Sequence, residues 1–87
     1  MGVDYESVKG LNPGLIYCSI SCYGQDGPYR DMPGFDLNCL GVAGILDIST
    51  APGSIPSVPA IQVGDIGGAG LMAFAGILMA VIARTRT

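Results

Sequence analysis

The chain has 87 residues, of which 49% are hydrophobic, with 14 glycines, six prolines, no histidine or tryptophan, and a net charge of −3. Its four basic residues form no patch, which removes the electrostatic case for nucleic acid, and without histidine no serine or cysteine triad can be assembled. The composition is too apolar for a disordered segment and too glycine-rich for a simple helical bundle, and the length allows a single domain with a marginal core.

In chain order, residues 1 to 10 predict a short helix with Asp4 as N-cap and Gly10 as its stop, followed by a turn at Asn12-Pro13. Residues 14 to 21, GLIYCSIS, read as a short strand, apolar on both faces apart from its serines and therefore central and covered. Residues 22 to 34 carry three glycines and two prolines and read as a long loop. Leu37, Leu40, Ile45 and Leu46 predict a helix over residues 35 to 48, packed closely through the small residues between them.

A Pro/Gly/Ser connection follows, and residues 60 to 63 form a short extended piece before Asp65. All seven acids and two of the four bases lie in residues 1 to 65, leaving residues 66 to 83 without a charge and Arg84 and Arg86 beyond them. This apolar run has two readings: a buried helix of an α/β protein, or a minimal membrane span with the arginines as its flank. Four glycines, Gly67, Gly68, Gly70 and Gly76, favour the buried helix, because they weaken a helix while letting a neighbouring backbone approach.

Cys18, Cys22 and Cys39 cannot all pair within one chain, so they read as reduced, small buried residues of a cytoplasmic protein. Their spacing, with no histidine, does not complete a zinc site, and no metal is expected. Arg30 reads as a solvated loop cation, or as a contact for a phosphate. Asp65 sits directly before the apolar run. A carboxylate there satisfies free backbone N–H groups and meets the positive end of the helix dipole. Ionised carboxylates also serve as covalent nucleophiles, and the glycines that follow leave room for a substrate against the backbone, so capping and reaction are compatible roles.

Three blocks, NPGLIYCSI with YGQDGPY, PGFDLN, and GDIGG with the apolar run after it, together resemble the family III CoA-transferases, the group that includes the α-methylacyl-CoA racemases. The resemblance covers almost the whole chain. It implies an α/β fold: part of a Rossmann-like large domain with a short parallel strand, a long loop and two helices, the last long and apolar. It also implies an internal piece of a longer, interlocked homodimer that is inactive when isolated.

By the same resemblance, Asp65 is the catalytic nucleophile toward an acyl-CoA thioester, a carboxylic acid is the acceptor, and coenzyme A is a substrate with no tightly bound cofactor. Racemases place a histidine thirty residues before the aspartate; here the position is Phe35, which carries no proton and is expected to wall the pocket as the aromatic residue of transferases does. Asp36 is read as the cap of the helix beginning there, or as a partial acid/base group. Tyr23, Gly24, Cys39, Gly67 and Gly68 complete the expected pocket. Cys22 stands where the family usually has glycine. Beside the transferase stand a racemase or epimerase of the same family and, in other classes, a non-catalytic remnant or a small membrane-associated protein.

Overall fold

A computed structural model describes all 87 residues and contains helices, turns and loops without a single β-strand. The expected short parallel strand, and with it the α/β class, is therefore overturned. Residues 14 to 21 have the composition of a strand, but a strand exists only when a neighbour pairs its backbone groups, and no second strand lies in this chain. The segment is held in other ways: the Tyr17 ring packs 5.7 Å from that of Tyr5, and the Arg84 guanidinium donates to the Gly14 carbonyl.

The first helix, α1 (Tyr5–Val8), starts as its sequence dictates. Asp4 Oδ1 accepts the Ser7 N–H at 3.1 Å and Oδ2 accepts the Ser7 hydroxyl at 2.8 Å. These bonds, the hydroxyl first, hold the Asp4 carboxyl below the usual carboxylate range. At the next turn the Asn12 side chain accepts the Gly14 N–H at 2.9 Å.

The helix predicted over residues 35 to 48 is two pieces, α2 (Asp36–Val42) and α3 (Ile45–Ile48). Gly44 separates them at φ +82°, a left-handed conformation that glycine adopts without steric cost. Apolar spacing alone does not register this break, because Ile45 and Leu46 continue the pattern of Leu37 and Leu40.

The apolar run is helical from Val63 to Arg86, longer at both ends than the sequence suggests. Its first part, Val63–Leu71, is wound as a π-helix, and the remainder, α4 (Met72–Arg86), is an α-helix. Gly68 and Gly70 permit the wider turns. A Cβ on Gly70 would lie 3.2 Å from the Asp65 carbonyl oxygen and one on Gly68 3.8 Å from that of Val63, so each glycine sits over the carbonyl five residues earlier.

α2 packs against both α3 and the π-wound turns. Only two residues are buried, Leu40 and Asp36, both on α2. The molecule measures 54 × 28 × 19 Å, and the apolar side chains of the 63–86 helix stand open. By length and composition that helix is sufficient to cross a membrane.

Candidate functional site

Asp65 lies at the third position of the π-wound segment, inside the helix and not before it. Gln62 occupies the N-cap position, and no side chain caps this end, so the capping role expected of Asp65 is corrected: its carboxylate is exposed and free for other work. The Asp65 backbone N–H donates instead to Asp36 Oδ1 at 2.8 Å, across 29 residues of sequence.

That bond also corrects the reading of Asp36 as a helix cap. Phe35 holds the N-cap position of α2, and its N–H is satisfied by Asn38 Oδ1 at 3.0 Å. Asp36 is thereby released to point at the other helix, with 9% of its surface exposed. A buried carboxylate is tolerated only when hydrogen-bonded, and the Asp65 amide supplies such a donor.

Two open cavities flank this junction. The first, about 580 Å³, is lined by Ser21, Cys22, Cys39, Gly64 and Gly68 together with Asp65. The second, about 390 Å³, lies between Phe35 and Asp36 on one side and residues 58 to 62 on the other, again with Asp65 in its lining. Asp65 is the residue that both share.

Of the residues singled out from sequence, Cys39 and Gly68 line the first cavity, and Phe35 and Asp36 the second. Tyr23, Gly24 and Gly67 line neither. Tyr23 packs edge-on against Tyr29 at 5.6 Å, and Gly24 takes a left-handed φ of +89° in the loop. Arg30 is exposed and pairs with Asp31 at 3.3 Å.

The cysteines are corrected as well: Cys22 and Cys39 form a disulfide and Cys18 is exposed, so they are not three unpaired buried residues. The bridge joins the loop to α2 across the wall of the first cavity. Sequence reasoning also missed Gly64 and residues 58 to 62. Gly64 is adjacent to Asp65 and was legible as a point of close backbone approach; the 58 to 62 wall arises from chain reversal and leaves no local signal.

The whole chain, residues 1–87, matches the family model for CoA-transferase family III. Among curated proteins it is 46% identical over 65 residues to a succinate–glutarate CoA-transferase of Agrobacterium fabrum, a match covering 75% of this chain and 16% of that protein. It is 41% identical over 82 residues to the human α-methylacyl-CoA racemase, covering 94% and 22%, and 33% identical over 87 residues to the human succinyl-CoA:glutarate CoA-transferase, covering 100% and 20%. The chain thus spans about a fifth of the length of these relatives. No solved structure matches it.

Proposed function

The chain belongs to CoA-transferase family III, and from that premise we propose that it carries the nucleophile for moving coenzyme A from an acyl-CoA thioester to a carboxylic acid. One observation carries the reading: Asp65, exposed in the first turns of a long helix, is the residue at which two cavities meet. A carboxylate there has an approach from either side.

In this account an Asp65 carboxylate oxygen attacks the thioester carbonyl carbon. The C–S bond breaks, CoA thiolate leaves, and a mixed anhydride remains. The thiolate then attacks the aspartyl carbonyl, expelling the donor acid and leaving an aspartyl-CoA thioester. The acceptor carboxylate attacks that thioester to give a second mixed anhydride and thiolate. Attack of the thiolate on the acceptor's acyl carbon releases the new acyl-CoA and restores Asp65. Splitting one difficult transfer into four easier steps is what a covalent nucleophile contributes.

Relatives include both transferases and racemases at similar identity, so Phe35 separates the two readings. Racemisation by two bases needs a second proton carrier opposite Asp65, and the phenylalanine that faces the second cavity cannot be one. We place the chain inside a longer protein that acts as a homodimer, with CoA as substrate.

The test uses the full-length protein in deuterium oxide with a 2-methylacyl-CoA, with and without an acid acceptor. Acceptor-dependent appearance of a new CoA thioester without deuterium at the α-carbon is expected. Exchange at the α-carbon with the thioester retained, and no need of acceptor, would replace this reading with racemisation.

A further inference from the structure

The hydrogen bond between Asp36 and the Asp65 backbone joins two helices at the point where the nucleophile leaves the second of them. Asp36 is the only buried charged residue in the chain. Its side chain is not spent on capping its own helix: the N–H of the N-cap residue Phe35 goes to Asn38 Oδ1, and no side chain caps the start of α2. The amide it accepts belongs to the first turn of the π-wound segment, where N–H groups have no partner within the helix.

Gly64 is part of the same contact. A Cβ there would lie 2.9 Å from Asp36 Oδ1 and 3.7 Å from Leu40 Cδ2, so the approach of α2 depends on the missing side chain. Asp36 and Leu40 are four residues apart and share one face of α2. One grips the backbone by a hydrogen bond; the other, 1% exposed, fills the space beside it. A π-wound segment stays close to the α form, and a shift of one residue in its winding turns a side chain by about 100° about the axis. Fixing the Asp65 amide fixes that register.

We propose that Asp36 is a positioning residue for the nucleophile: its carboxylate pins the Asp65 backbone and so holds the Asp65 side chain between the two cavities. The inference rests on the reading of Asp65 as nucleophile. The bond requires an acceptor oxygen and no proton transfer, so asparagine should serve in place of aspartate.

The experiment compares Asp36→Asn, Asp36→Ala and Gly64→Ala in the full-length protein, measuring kcat and KM for acyl-CoA separately. Asp36→Asn is expected to keep kcat within about threefold, since the carbonyl oxygen remains. Asp36→Ala is expected to lower kcat by about 10²-fold with KM within about threefold, the signature of a displaced reacting group. Gly64→Ala should lower kcat by about tenfold, and the Asp36→Ala/Gly64→Ala pair should be little worse than Asp36→Ala alone, because both break one contact. If Asp36→Ala does not fold, Gly64→Ala decides.

Equal collapse of Asp36→Asn and Asp36→Ala would overturn the proposal in favour of a titrating role. Wild-type kcat in Gly64→Ala would overturn it outright. Asp65→Asn serves as the separate control: undiminished turnover there defeats the nucleophile reading itself, whereas a dead Asp65→Asn beside an unimpaired Asp36→Ala defeats only the positioning role.

Discussion

The chemistry of the site comes down to two side chains thirty residues apart. In the proposed reaction Asp65 supplies the nucleophile, and Phe35 supplies a wall and no proton. Replacing Asp65 by Asn should lower turnover by on the order of 10³-fold or more, measured as CoA transfer, because the amide forms no anhydride. Replacing Phe35 by His restores the residue type that the resemblance associates with racemases, and it is expected to introduce α-deuterium incorporation into a 2-methylacyl-CoA. Absence of any exchange would show that the remaining geometry, and not this side chain alone, separates the two reactions. The family was legible in the sequence because the residues around Asp65 and Phe35 carry the resemblance, and the structure adds that Asp65 lines both cavities. The partnership with Asp36 was not, because two aspartates 29 residues apart, each at the edge of a helical pattern, look like two local caps. Only the packing of α2 shows that one of them reaches across.

At the scale of elements, the π-wound turns are the unusual feature, and glycine makes them possible. Gly70→Ala should dissociate stability from activity. Alanine is favoured over glycine in a helix interior by about 1 kcal/mol, yet its Cβ would stand 3.2 Å from the Asp65 carbonyl and press against the wide turn. The expected outcome in the full-length protein is a melting temperature unchanged or raised, with kcat reduced by about tenfold as the nucleophile shifts. Gly44→Ala is the contrasting case. At φ +82° an alanine is strained by roughly 1–2 kcal/mol, so thermal stability should fall while kcat of the folded protein stays close to wild type. The sequence announced the long helix through its uncharged length, but not its winding, since the same glycines suit a loose α-helix. It suggested a strand at residues 14 to 21 from residue types, and pairing, which no local pattern contains, decides otherwise.

As a whole, the chain does not close on itself. Its accessible surface is 6981 Å², against roughly 4,800 Å² for a compact monomer of this mass. Its radius of gyration is 17.0 Å, against about 12 Å for a compact domain of this length. Phe74, Leu78, Met79 and Ile82 on α4 are all more than two fifths exposed, an apolar face of the kind that proteins cover. Small-angle scattering from the isolated 87 residues should therefore report either association or a radius of gyration well above 12 Å. A monodisperse monomer near that compact value would show that the helices collapse on their own. The relatives it matches are about five times longer, and the match covers only about a fifth of each.

The central claim is that Asp65 becomes covalently acylated. The most direct measurement is to incubate the full-length protein with acyl-CoA, quench with hydroxylamine, and read the peptide containing Asp65 by mass spectrometry. The account predicts a hydroxamate on Asp65 that requires acyl-CoA and disappears in Asp65→Asn. An unmodified Asp65 in a protein turning over at its normal rate would contradict it.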